Sequence, residues 1–89
     1  MFLHIGDDLV LREQDIIGIF DFETSTLSKH TKKYLQDKEK KHSTLAVSEQ
    51  IPKAFVVVQK KEQKEPKVYF TLVSSITLKK RAENNRLME

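Results

Sequence analysis

The chain contains no cysteine and no tryptophan, and only two glycines and two prolines in 89 residues. Without cysteine there can be neither a disulfide framework nor a thiolate metal site. With Gly6 and Gly18 as the only glycines, a glycine-rich phosphate loop is excluded, and no nucleophile-elbow glycines flank the adjacent Ser74 and Ser75. No apolar run approaches the ~18 residues needed to cross a membrane. The opening Met1-Phe2-Leu3-His4-Ile5 lacks a basic lead and is broken by Gly6-Asp7-Asp8, so it does not resemble a signal peptide. The three histidines, His4, His30 and His42, have no metal-ligand spacing. Asp7-Asp8 and Ser74-Ser75 are accounted for by turn and helix-capping chemistry. The expectation is a cytoplasmic, non-enzymatic chain without cofactor, metal, membrane span or small-molecule substrate.

Charge is abundant and unevenly placed. Residues 1–28 carry one cation, Arg12, against six carboxylates, whereas residues 29–42 carry six lysines against two carboxylates. The 59–67 and 79–89 segments each add a further surplus of two positive charges. An acidic first third facing a basic remainder suggests head-to-tail association, an anionic partner, or both. The plainer reading is a solvated lysine-rich surface.

The pattern of apolar residues gives an α+β fold, a small single domain over 1–89. Short antiparallel β-strands surround one central amphipathic helix and are followed by a short C-terminal helix. Phe2–Ile5 and Leu9–Leu11 predict an N-terminal hairpin about the Gly6-Asp7-Asp8 turn. Arg12–Asp15 is a polar interruption. Ile16–Phe20 is apolar and β-branched, the pattern of a strand covered on both faces, or on one face with an oligomer on the other. Gly18 within it marks a bulge or a close backbone approach. Thr24, Ser25 and Thr26 are candidate N-caps of a helix over about 25–40, with Leu27, Thr31, Tyr34, Leu35 and the stem of Lys38 on one stripe. Thr44–Val47 is a strand candidate, Ser48–Lys53 a loop pinned by Pro52, and Ala54–Gln59 a strong strand. The charged segment from Lys60 to Pro66 links it to a partner strand at Lys67–Val73. Ser74-Ser75 caps a last helix over about 75–86, with Ile76, Leu78, Ala82 and Leu87 as a weaker stripe. So short a chain buries a thin core, which makes self-association an expectation.

A DNA-facing surface is the functional candidate. The first helix, the 60–67 tip and the last helix could align their lysines on one face and neutralise phosphates. Base reading favours arginine, asparagine or glutamine, here Gln50, Arg81, Asn84, Asn85 and Arg86.

Four stretches, Phe2–Gly6, Asp15–Asp21, Pro52–Val57 and Ser74–Ala82, together resemble the extracellular matrix regulator family of Gram-positive bacteria, in its RemB branch. The resemblance covers nearly the whole chain, and its motifs are structural rather than catalytic. It implies a cytoplasmic DNA-binding transcriptional regulator linked to biofilm formation. The sister branch, RemA, implies a ring-like oligomer that contacts double-stranded DNA through arginines. Those arginines align here with Asp15 and with Gln50-Ile51, where Lys53 keeps a charge nearby. Contact then falls to Lys29, Lys32 and Lys33 of the helix, to Gln50 and Lys53, and to Lys60 and Lys61 of the tip. The lost arginines and the acidic 1–28 segment leave a second reading open, an oligomeric adaptor for another protein with weak or no DNA binding.

Overall fold

The computed structural model describes residues 2–6, 8–46 and 49–87, with side chains described as far as Asn84. The expectations placed on Asp7, Val47 and Ser48, and on the side chains of Asn85, Arg86 and Leu87, lie outside the described residues.

The N-terminal hairpin forms from β1 (Phe2–Gly6) and β2 (Leu9–Arg12), paired antiparallel. Gly6 (φ 110°) and Asp8 (φ 63°) take left-handed conformations at its turn, which glycine and aspartate tolerate best. A short 3-10 turn over Glu13–Asp15 fills the polar interruption. The main sheet has four strands in the order β3 (Ile16–Asp21), β5 (Ala54–Val58), β6 (Lys67–Thr71), β4 (Thr44–Ala46). β5 is its spine and every one of its residues is buried.

Alternation along β5 divides the core. Ala54, Val56 and Val58 face a cluster with Leu3, Ile5 and Leu11 of the hairpin, Tyr69, and Leu78 of α3 (Ser75–Leu87). Phe55 and Val57 face the opposite way, with Val68 and with Leu35 of α2 (Lys29–Lys40). The hairpin and α3 therefore cover one face of the sheet and α2 the other. The hairpin is fastened by the Thr71 hydroxyl, which donates to the Ile5 carbonyl and accepts from the Val73 amide. Arg81 Nη1 adds a bond to the His4 carbonyl (2.9 Å).

Two expectations are corrected and a third is narrowed. Not all strands are antiparallel, because β4 pairs with β6 in parallel. A helix intervenes between β3 and β4, and it returns the chain in the direction of β3 at the far edge of the sheet. The helix expected over 25–40 is two helices, α1 (Phe22–Ser25) and α2. Asp21 Oδ2 caps α1 by accepting from the Thr24 amide (2.8 Å), and Ser28 Oγ caps α2 by accepting from the Thr31 amide (3.4 Å). The Thr26 hydroxyl donates back to the Phe22 carbonyl, closing α1 rather than opening α2, and Leu27 in the intervening turn is 81% exposed. Of the two alternatives for Ile16–Phe20, cover on both faces within the chain is excluded, and cover on one face stands. The strand lies at the sheet edge, with Ile16 and Ile19 packed on the α3 side, Ile17 exposed and Phe20 partly exposed.

Other expectations match. Gly18 follows a bulge, since Ile16 faces Val58 and Gly18 faces Val57, leaving Ile17 as the extra residue. β5 and β6 form the expected hairpin. Ser74 Oγ accepts from the Thr77 amide (3.2 Å) and caps α3. On α3 the buried stripe narrows to Leu78 and part of Ala82, with Ile76 exposed.

Candidate nucleic-acid interface

Since α2 and α3 lie on opposite faces of the sheet, their lysines cannot share one surface with the 60–67 tip. The cationic candidates fall instead into two groups at the two ends of the sheet. Lys53 precedes β5 and Lys60 follows it, so that at ~3.3 Å per residue they stand roughly 23 Å apart. The Lys53 amide donates to the Thr71 carbonyl (2.9 Å) and its carbonyl accepts from Phe22 (2.9 Å), which fixes it at the lower end. Gln50 is exposed in the loop before it. α2 runs from near that end to the other, because its last turn meets the loop that leads into β6. Lys38 Nζ is 3.9 Å and Lys41 Nζ 3.2 Å from the Glu65 carboxylate. Lys29 and Lys53 are thus directed to one end and Lys60 and Lys61 to the other. Lys32 and Lys33 lie exposed along the helix between.

The upper end is where cations from distant segments meet. The Gln59 amide donates to the Asp15 carbonyl (2.8 Å), tying the end of β5 to the 3-10 turn. The Gln59 side chain donates to the carbonyls of Lys60 (3.2 Å) and Gln63, and the Gln63 amide donates to the Lys60 carbonyl (3.1 Å). These bonds shape the tip into a turn that presents Lys60 and Lys61. Between the tip and the 3-10 turn is a cleft of about 490 Å³, lined by Arg12, Gln14, Asp15, Lys60, Lys61, Glu62 and Gln63. Three cations and two amide side chains converge there, against two carboxylates. Phosphate oxygens accept from all five of these donors, and arginine and glutamine add directional donors that lysine lacks.

Sequence reasoning missed Arg12 as a site residue. Its signal was available, since it is the lone cation among six carboxylates and stands just before the Ile16 stretch. Of the two lysines that reach Glu65, Lys38 of α2 is only 7% exposed and sits 5.5 Å over the Tyr34 ring. Both are partly neutralised at home. Burial, assisted by the Glu65 charge, raises the pKa of the Tyr34 phenol above its ordinary value.

A second concavity, about 350 Å³, opens on the α2 face beside the edge strand β3. It is lined chiefly by Ile17, Phe20, Tyr34, Phe55 and Val57, with His30, Thr31 and Ser25 at its margin. It is apolar where the upper cleft is charged. Among the described residues, no group of three or more His, Cys, Asp or Glu side chains is placed to hold a metal ion. No helix among them is long and apolar enough to cross a membrane.

No model of a protein family matches the chain. It is similar to extracellular matrix regulatory protein B of Bacillus subtilis (strain 168), with 37% identity over 83 residues, which span 93% of this chain and 91% of that protein. With that identity along almost the full length of both, the chain belongs to the extracellular matrix regulatory protein B family.

Proposed function

We propose that this protein is a transcriptional regulator of extracellular matrix genes that binds double-stranded DNA and works as an oligomer. The observation that carries the reading is the upper cleft, where Arg12 joins Lys60 and Lys61 with Gln14 and Gln63 beside them. Family membership supports a regulatory role. Such a patch is modest in one chain, and repetition of it in an oligomer multiplies its hold on a continuous duplex. On this reading the chain acts in the cytoplasm, without catalysis and without a cofactor. Lys29, Lys32, Lys33, Gln50 and Lys53 are auxiliary contacts that reach a duplex only if it extends past the opposite end of the sheet.

The test is fluorescence anisotropy of a labelled duplex with random competitor DNA, at low and at physiological salt. Binding that survives competitor and weakens log-linearly with salt is the expected result, and its slope counts the phosphates engaged. An absence of binding even at low salt would overturn the reading. The apolar groove beside β3 favours a second reading in that event, an adaptor that docks another protein.

A further inference from the structure

The small β1–β2 sheet buries one face and bares the other. Leu3, Ile5 and Leu11 point into the core. Phe2, His4, Val10 and Arg12 alternate with them along the two strands and are exposed, Phe2 by 63% and Val10 by 47%. The register sets Arg12 opposite Phe2 and Val10 opposite His4, so the four side chains form one patch. Two of them carry planar rings, a third a planar guanidinium, and none is acidic.

This patch is continuous with the cationic cleft. Arg12 belongs to both, since it lines the cleft with Lys60 and Lys61 and is the partner of Phe2 across the hairpin. From the other side, Arg81 of α3 donates from Nη1 to the His4 carbonyl (2.9 Å). That bond engages one of the five N–H donors of a guanidinium and holds the exposed Arg81 head beside β1. Carboxylates stand at the borders. Asp8 is at the hairpin turn, the opposite end from Arg12, and Asp15 and Glu62 line the cleft.

Exposed rings flanked by cations suit a nucleic acid whose bases are unpaired. Such bases stack on aromatic faces and guanidinium planes while the cations follow the backbone. In a closed duplex each base face is covered by its neighbours, and the grooves offer only base edges. Phe2 and His4 lie two residues apart on one face of β1, ~6.6 Å at 3.3 Å per residue, so each ring can serve one base of an extended strand.

We propose that the outer face of the β1–β2 hairpin is a stacking platform for unpaired bases of DNA. Phe2 and His4 receive the bases, Arg12 and Arg81 hold the adjoining phosphates, and Lys60 and Lys61 continue the backbone track into the cleft. The protein then prefers a single strand, or a duplex with an unpaired stretch, over a closed duplex. The inference rests on the reading that the cleft engages DNA and adds the state of the strand it engages.

The test compares three labelled DNAs of one length by fluorescence anisotropy: a closed duplex, the same duplex with a central run of mismatches, and one strand alone. The two DNAs with unpaired bases are expected to bind more tightly than the closed duplex. Phe2→Ala and His4→Ala are each expected to weaken those two by roughly five- to a hundredfold and to leave the closed duplex unchanged. Phe2→Tyr, which keeps a ring, is expected to bind like the wild type. Losing a stack leaves the salt slope as it was, whereas losing Lys60 and Lys61 lowers it. Far-ultraviolet circular dichroism checks that the variants fold. A closed duplex held as tightly as the unpaired DNAs would overturn the proposal and leave the DNA reading in place. So would alanine variants that weaken all three DNAs alike, or none. The same single strand made of ribonucleotides, if held more tightly than the DNA, would overturn the assignment to DNA. Binding of none of the three at low salt would remove the DNA reading and this inference with it.

Discussion

The ring of Phe20 lies across Gly18: a Cβ on the glycine would stand 2.6 Å from Cε2 and 2.7 Å from Cζ of that ring. The ring is also stacked on Phe55, with centroids 5.1 Å apart and planes at 21°. Gly18 thus permits the Phe20–Phe55 stack that lines the open groove. Gly18→Ala forces the ring outward. Its cost is expected to be about 1 kcal/mol, the lower end of overpacking penalties, because Phe20 is partly exposed and alanine recovers some chain entropy. Urea denaturation of Gly18→Ala, Phe20→Leu and the double variant checks this. The double variant should lose less than the sum of the singles, since leucine removes the atoms that clash.

Thr71 joins the two sheets. Its side chain is 1% exposed and its hydroxyl serves the Ile5 carbonyl and the Val73 amide at once. Thr71→Val has nearly the same shape but leaves both groups without that partner, at an expected cost of roughly 1–3 kcal/mol. Thr71→Ser keeps the hydroxyl and should cost less. A loss in Thr71→Ser larger than that in Thr71→Val, measured by chemical denaturation, would assign the role of Thr71 to its methyl group instead.

The parts of this fold that were legible in the sequence are those written in local period. Leu35 and the stem of Lys38 face the core as the helical stripe requires, β5 and β6 pair across their charged tip, and Ser74 caps α3. Most of what escaped depends on contacts between segments far apart in the chain. The parallel β4–β6 pair is a choice of neighbour that a three-residue strand does not announce. The split between α1 and α2 is local but was hidden by a run of equivalent candidates: Asp21 opens α1, the Thr26 hydroxyl closes it on the Phe22 carbonyl, and Ser28 caps α2. For the site, Lys60 and Lys61 were identifiable as a basic tip. Arg12 entered the cleft only because Gln59 holds the tip beside the 3-10 turn.

Glu65 ties the tip to the end of α2 through Lys38 in its last turn and Lys41 just after it, and the two contacts are unequal. Lys41 is exposed, and pairs of that kind contribute ~0–1 kcal/mol. Lys38 is buried, and Glu65 and the Tyr34 ring stabilise its charge. Glu65→Gln is expected to destabilise by about 1 kcal/mol, more than Lys41→Gln, because it leaves a buried ammonium with its counter-charge removed. Lys38→Met should be neutral or stabilising, since an apolar side chain of similar length suits the same site. Thermal melts of the three variants separate these outcomes.

The cap at Asp21 gives stability a pH dependence of known sign. Hydrogen bonds from the Thr24 backbone and side chain, with a smaller contribution from Lys79, hold its carboxyl below the ordinary carboxylate value. The folded state therefore binds the proton less tightly than the unfolded chain. The stabilisation is fully present above the unfolded value, roughly 3.9, and is lost as the pH falls through the lower folded value. Asp21→Ala should melt at a lower temperature than the wild type at neutral pH, and the gap should close in acid. Asp21→Asn, which still offers a cap oxygen, should lie between them at neutral pH. A gap that persists unchanged in strong acid would show that the carboxylate charge is not what holds α1.

Charge reversal at the two ends of the sheet locates the DNA contact. Lys60 and Lys61 share the cleft with Arg12, whereas Lys32 and Lys33 project from α2 with no arginine among the residues lining the adjoining groove. All four are exposed, so reversal leaves the fold intact. Each phosphate contact contributes roughly 0.9 to the slope of log affinity against log salt. Lys60→Glu with Lys61→Glu is therefore expected to reduce the slope by about 2 per chain engaged, and Lys32→Glu with Lys33→Glu by less than about 1. Arg12→Ala should weaken binding further than a single lysine change, since a guanidinium offers a phosphate two directed bonds. If the α2 pair instead carries the larger change in slope, the duplex lies along that helix and the cleft is a bystander. Equal affinity of all variants and wild type, with random competitor present, would mean that neither end touches DNA.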